Sequence, residues 1–305
     1  TLTQEISESF KLENYGIQSY AFLKYIQENL PGRIAGTEKE KEMASFISAI
    51  LLNGGYSEKD IKLNSFDIEE GVPMMDTSGE NIFDGGEDSQ SSQNIEVIKE
   101  GQSKKTIIVG AHYDSAGTHG VDDNGSGVAV ALESALRMID VETPYTIKYV
   151  FFGAEEKGLL GSRAYVKAHE SELSHHLFNM NIDLAGQSLG GTVIGVTGDS
   201  SICHQFEALA EKCGIGMTTR SSVWSSDSNT FAWKRVPSMT LNRDGYGMHT
   251  EYDTIDLISA WSLLRSALLL CTIANYLANE EVFPLCRQIP QEFLAQLDAS
   301  FSTEK

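Results

Sequence analysis

Thr106-Ile-Ile-Val-Gly-Ala-His112-Tyr-Asp114-Ser115, Gly120-Val-Asp122-Asp123-Asn124-Gly-Ser-Gly127 and Ile147-Lys-Tyr-Val-Phe-Phe152-Gly-Ala-Glu155-Glu156 follow one another closely along the chain. Apolar, β-branched runs, 106–109 and 147–152, lead into the polar residues of the first and third stretches. Each run reads as a strand that delivers metal-ligating residue types at its carboxyl end. Open α/β sheets build their sites at those ends. The expected fold is therefore α/β, with a central mixed, largely parallel β-sheet flanked by helices.

Working outward, further strand patterns lie at 61–68, 95–98, 177–184, 192–196 and 238–241, besides 106–111 and 147–152. Ile17, Tyr20, Phe22, Leu23, Ile26 and Leu30 recur at helical spacing until Pro31-Gly32 stops the run. Met43, Phe46, Ile47 and Ile50 repeat the pattern over 38–52, which ends at Asn53-Gly-Gly55. Helices are also expected at 127–138, 158–169, 200–212 and 254–278, with a further one from Asn229. Strands alternating with helices imply βαβ units. No internal repeat and no second composition regime breaks the chain, so one domain over 1–305 is expected. Within it, 69–93 reads as a mobile acidic loop and 280–305 as a C-terminal extension.

The totals narrow the function. A chain of 305 residues, 41% of them hydrophobic, can fill a sizeable core. A net charge of -20 and a pI near 4.7 argue against nucleic acid or an anionic membrane surface as partner. Peptides with a free amine suit that charge better. The most apolar stretch, 263–277, is interrupted by Arg265, Ser266 and Asn275, so no transmembrane segment is expected. Cys203, Cys213, Cys271 and Cys286 are too few and too scattered for a disulfide scaffold, and buried free thiols are expected. A first residue that is threonine rather than methionine leads us to expect that an upstream piece, such as a secretion signal, was removed. Oligomeric state is not legible.

Metal-assisted peptide hydrolysis needs an activated water, a Lewis acid on the scissile carbonyl and a base for the water's proton. Two zinc ions about 3.5–4 Å apart can share one water and one bridging carboxylate. His112 and Asp114 form an HxD pair whose period of two puts both side chains on one side of a strand end. The histidine can bind metal while Asp114 accepts from its other ring nitrogen and fixes the tautomer. Alone, that pair is as often a simple hydrogen bond. Glu155 and Glu156 emerge where a chain usually prefers apolar cover, so one can ligate while the other moves a proton. Asp183 ends an apolar strand and could equally be a turn residue; His249, before the long helix with Thr254 as a candidate cap, could equally be a surface group. Spacing leaves Asp122 and Asp123 both open. No GxSxG elbow, GxxxxGK[ST] loop or HExxH helix occurs, which weakens the serine-hydrolase, nucleotide-hydrolase and single-zinc protease readings.

Taken in order, HYDS from His112, DDNGSG from Asp122, FFGAEEKGLLGS from Phe151, NIDLAG from Asn181 and MHTEYDT from Met248 resemble the M28 family of co-catalytic dizinc aminopeptidases. The likeness spans about 32–278, and Pro31-Gly-Arg-Ile-Ala-Gly-Thr37 is similar to the family's approach to its second helix. The resemblance implies a zinc-exopeptidase fold and two zinc ions per chain. It implies His112, Asp123 and Asp183 on one ion, Asp123, Glu156 and His249 on the other, and Glu155 as general base. The family's bridging aspartate selects Asp123, commonly followed by a cis peptide, here Asp123-Asn124. Peptide substrates with a free amino terminus and an extracellular or cell-envelope location are implied as well.

Ser226-Asp227 is similar to a family segment lining the site, which makes Asp227 a candidate for orienting polar groups there. Many members place a tyrosine by the carbonyl oxygen; the matching segment here has Val223-Trp224, while Tyr246 lies near His249 in sequence. Trp224, Tyr246, Phe231 and Met248 are candidate substrate contacts, with core packing the equal alternative for Trp224, Phe231 and Met248. The family also holds mono-zinc glutaminyl cyclases and noncatalytic binding domains. Either is an alternative reading here, separable by zinc count and by metal-dependent hydrolysis.

Overall fold

The computed structural model describes residues 16–68, 82–86, 89–243 and 245–302. Its eight strands are β1 (Ile61–Asp67), β2 (Ser91–Lys99), β3 (Ser103–His112), β4 (Tyr145–Phe152), β5 (His176–Ile182), β6 (Thr192–Thr197), β7 (Met217–Ser221) and β8 (Ser238–Arg243). They form one sheet in the order β1-β2-β4-β3-β5-β8-β6-β7. The central four, β4, β3, β5 and β8, are parallel, while β2 runs antiparallel to β4 and β6 antiparallel to β8. The sheet is thus mixed and parallel at its centre, as expected.

Burial on both faces follows from the sequence of β3. Ile107, Val109 and Ala111 point into the larger core, and Ile108 points the other way, as a period of two requires. Helices α1 (Ile17–Asn29), α2 (Glu38–Gly54), α3 (Gly127–Met138), α5 (Ser201–Lys212) and α7 (Ala260–Asn279) contribute to that larger core. On the opposite face Ile108, Val150 and Phe152 meet Tyr165 and Val166 of α4 (Leu160–Ala168) and Phe231 of α6 (Ser228–Trp233). Helix α8 (Gln291–Ser302) closes over α6, with the Phe301 ring stacked on Trp233 at 4.7 Å. Length and composition alone would let α7 cross a bilayer, yet its Leu263, Ala267, Leu270, Ala274 and Leu277 are fully buried in the core.

Several boundaries differ from the sequence reading, each for a physical reason. Strand β2 begins at Ser91, inside the stretch read as loop, because its polar residues are matched: Ser92 Oγ donates to Glu40 and Asn94 Nδ2 to Gly161 O. The rest of the expected loop, 69–81 with Glu87 and Asp88, lies outside the described residues. Residues 82–86 are fixed to neighbouring segments, the Ile82 and Phe83 amides donating to Gly117 O and the Lys39 amide to Gly85 O. Edge strand β7, Met-Thr-Thr-Arg-Ser, is too polar to announce itself. The long helix starts at Ala260 instead of 254, capped by Ser259, whose hydroxyl accepts the Ser262 amide at 3.0 Å; Thr254 precedes a separate short turn. The four cysteines are free thiols.

Candidate metal centre

Three parallel neighbours, β4, β3 and β5, end side by side, with His112 opposite Phe152 and Gly110 opposite Asn181. Their carboxyl ends therefore release His112, Glu155-Glu156 and Asp183 into one volume. The fourth contributor is the irregular turn Val121–Ser126, which carries Asp123 and a cis Asp123-Asn124 peptide. Asn124 locks that turn to the end of β5: its Nδ2 donates to Ile182 O (2.8 Å) and its Oδ1 accepts the Leu184 amide (3.1 Å). His249 arrives from the loop before α7, in a left-handed conformation at φ 59°.

His112 Nε2 lies 3.2 Å from Asp123 Oδ1 and 3.6 Å from Asp183 Oδ1. His249 Nε2 lies 3.0 Å from Asp123 Oδ2 and 3.2 Å from Glu156 Oε2. Within each of the two triads, His112–Asp123–Asp183 and Asp123–Glu156–His249, the ligand atoms lie within 4.8 Å of one another. Asp123 belongs to both, one carboxylate oxygen to each. Histidine nitrogen and carboxylate oxygen make a donor set that suits zinc. Glu156 Oε1 is buried without a hydrogen-bond partner among the described residues, a further sign that this cluster is built around a cation. The residues present therefore fit two zinc ions.

Electrostatics agree with that fit. Burial pushes the Glu155 carboxyl well above the usual carboxylate range, with Asp227 and Glu156 adding to it against the pull of His112. Burial and the charge of Asp123 raise Glu156 to about 7. Hydrogen bonds to Asp123 and Glu156 lift His249 to about 11. Burial opposes ionisation of Asp123, but its contacts with both histidines outweigh this and hold its carboxyl low. Such a cluster keeps protons where divalent cations would otherwise sit, and a cation would displace them.

Asp114 holds the neighbouring groups in place. Its Oδ1 lies 3.3 Å from His112 Nδ1 and accepts the Glu155 amide (3.1 Å), while Oδ2 accepts the Glu156 amide (3.1 Å). One carboxylate thus orients a candidate ligand and the two-glutamate turn together. Asp227 is buried beside the site, and burial pushes it up to about 7 against the pull of His112 and the Ser162 hydroxyl. The contact with Asp183 belongs to its neighbour: Ser226 Oγ donates to Asp183 Oδ2 at 2.6 Å and accepts from Asn181 Nδ2 at 2.7 Å. Trp224 lies against Gly195 of β6, where a Cβ would collide with its ring. Tyr246 is exposed and tied down by its carbonyl, which accepts from Gln187 Nε2. Met248 is exposed, whereas Phe231 sits in the core and leaves the list of substrate contacts.

Sequence reading missed three buried charges. Arg33 donates to the carbonyls of Tyr113 (2.8 Å), Leu30 (3.1 Å), His119 (3.0 Å) and Gly120 (2.7 Å), binding the His112 loop to the Asp123 turn. Asp253 accepts the amides of Asp122 (2.7 Å) and Asp123 (3.2 Å). Glu40 accepts three donors beneath the Glu155 turn; burial, then the charge of Asp114, pushes its carboxyl up to about 8 against those donors. The motif around Arg33 was visible, but nothing in the sequence says that these side chains turn inward.

Comparison with known proteins places this geometry among peptidases. The profile described as Peptidase family M28 matches residues 94–274. Aminopeptidase YwaD of Bacillus subtilis (strain 168) is 37% identical over 153 residues, which cover 47% of this chain and 34% of that protein. The probable lipoprotein aminopeptidase LpqL of Mycobacterium tuberculosis (strain ATCC 25618 / H37Rv) is 34% identical over 165 residues, covering 47% of this chain and 33% of that protein. The matched region thus spans about a third of the length of these two relatives. Among solved structures, BSAP, a zinc aminopeptidase from Bacillus subtilis, superposes with a TM-score of 0.77 over 92% of this chain and 99% of its own, at 20% identity. That likeness establishes a shared fold.

Proposed function

Because the chain belongs to peptidase family M28, whose profile spans more than half of it, we propose that it is a dizinc aminopeptidase that removes residues from the amino terminus of peptides. The observation that carries the reading is Asp123, whose two oxygens each face a different histidine, 3.2 Å to His112 and 3.0 Å to His249. That arrangement suits a bridging ligand for two ions and favours two zincs over the single zinc of a cyclase. His112, Asp123 and Asp183 would hold one ion, and Asp123, Glu156 and His249 the other. When bound, zinc supplies Lewis acidity toward the carbonyl and acidifies the attacking water.

The remaining chemistry falls to the chain. Glu155 takes a proton from the attacking water and returns it to the leaving amine; its buried carboxylate lies 3.9 Å from His112 Nε2 and is in neither triad, which suits that transfer. Asp114 keeps His112 in the tautomer that presents Nε2 to the ion and steadies Glu155 through its amide. Acidic groups around the site and the net charge of -20 favour a substrate amine. Asp227, Trp224 and Tyr246 are proposed to shape the substrate side of the site. One peptidase domain with 280–305 as an extension is part of the same reading, as is an extracellular or envelope location, for which the word lipoprotein in the name of one relative is the support.

The test is zinc per chain by elemental analysis, together with release of 4-nitroaniline from aminoacyl anilides before and after chelation. Two zincs and chelator-sensitive release are expected. One zinc without release would favour the cyclase, and no metal would favour a binding module.

A further inference from the structure

The Glu155-Glu156 turn hangs from two buried carboxylates. Asp114 takes the amides of residues 155 and 156, as described. Glu40, on the first turn of α2 and wholly buried, takes the amide before them: Ala154 N donates to its Oε1 at 3.1 Å. The same oxygen accepts Ser92 Oγ at 2.7 Å, and Oε2 accepts the Gly36 amide at 2.7 Å. Among the described residues its three partners are all donors, which fixes its geometry on three sides.

Two further observations show that the turn is shaped around this side chain. Ala154 has φ 53°, a left-handed conformation that an alanine keeps only where its surroundings impose it. A Cβ on Gly153 would collide with Ser92 Oγ and come within 2.7 Å of Gln93 O and 2.8 Å of Glu40 Oε1, so β2 and the carboxyl together close off that side of the turn. Amides 154, 155 and 156 in succession are thus held by acceptors on two different elements, α2 and the end of β3.

We propose that Glu40 is a positioning residue for Glu155, holding the amide of Ala154 so that the Glu155 carboxylate stands at its working distance from the ligand cluster. Gly36 and Ser92 complete the grip and couple the 31–37 loop and β2 to the same turn. The inference rests on the aminopeptidase reading and deepens it. Glu40 touches neither substrate nor metal ligand; it acts through the backbone.

A double-mutant cycle separates positioning from general loss of structure. With the assay run above pH 8, where the Glu40 carboxyl is ionised, Glu40→Gln keeps the shape but places an amide nitrogen among three donors. In the otherwise wild-type chain, kcat is expected to fall at least tenfold, with KM within twofold and zinc per chain unchanged. In a Glu155→Asp background, where the base is already displaced but still turns over, the same change is expected to cost less than threefold. Equal losses in both backgrounds would show a merely structural role, and an unchanged kcat in the wild-type background would show none; either overturns the proposal. Should Glu40→Gln fail to fold, Ser92→Ala removes one of the two donors to Oε1, and its loss must likewise shrink in the Glu155→Asp background. A wild-type chain without zinc-dependent hydrolysis would instead refute the functional reading before any variant is compared.

Discussion

His249 Nε2 stands 3.0 Å from Asp123 Oδ2, on a residue whose other oxygen faces His112. The pairing joins the loop before α7 to the turn before α3 through a single carboxylate. Asp123→Ala is therefore expected to empty both zinc positions, whereas Asp183→Ala or Glu156→Ala should each empty one. Elemental analysis of the purified variants counts them. Two zincs retained in Asp123→Ala would contradict its bridging place.

Glu155 donates no ligand atom to either triad, so its side chain can change without unseating metal. Glu155→Gln should leave zinc content intact and lower kcat by about 10²–10⁴-fold, the usual weight of a general acid-base group. Turnover within a few-fold of wild type would remove Glu155 from its role.

Away from the metal centre, one histidine should cost stability as acid is added, against raised carboxyls such as Glu40 and Glu156 that favour the folded chain as pH falls. Burial, with the charges of Lys148 and His169, holds His176 down at about 4, so between 6.5 and about 4 the unfolded chain takes a proton that the folded chain refuses. Stability is lost as pH falls through that window, by about 3 kcal/mol for this one group. Burial opposes ionisation of Glu96, yet His169 and Lys148 hold it at about 2, which continues the loss below 4.5. His169, raised by its contact with Glu96 at 3.1 Å, works the other way and loses its contribution as pH rises. The difference in stability between His176→Gln and wild type, followed from pH 7 to 4, isolates this group. The variant should gain on wild type by up to about 3 kcal/mol as pH falls through that window, and a constant difference would count against the assignment.

Removing the Arg33 guanidinium takes its hydrogen bonds from four backbone carbonyls in a buried place, of which Gly120 O keeps the Gly125 amide. Arg33→Met should cost roughly 3 kcal/mol or more, read as a lower urea midpoint. A shift under 1 kcal/mol would mean that water fills the gap.

Much of the candidate site was legible because the candidate ligands follow strands. His112, Asp123, Glu155, Glu156 and Asp183 sit where a strand or a glycine-rich turn hands the chain over, and period and punctuation reveal both. Buried polar pairing, in contrast, has no periodic signature: Ser92 and Asn94 disguised the start of β2, and Glu40 looked like one more exposed acid at the head of α2. Ser226 was passed over for Asp227 because only coordinates tell which of two neighbours faces Asp183. The polar edge strand β7 failed for the same lack of an apolar alternation.

The sheet order carries a consequence for how such a chain is made. Strand β8 fills the place between β5 and β6, although both are synthesised before it. On a ribosome, β5 therefore waits with an open edge until residues 238–243 emerge, and unpaired edges invite wrong partners. The triad of His112, Asp123 and Asp183 is complete in sequence by then, but the second triad waits for His249. Closing the sheet and finishing the second triad thus fall to the same late piece of chain.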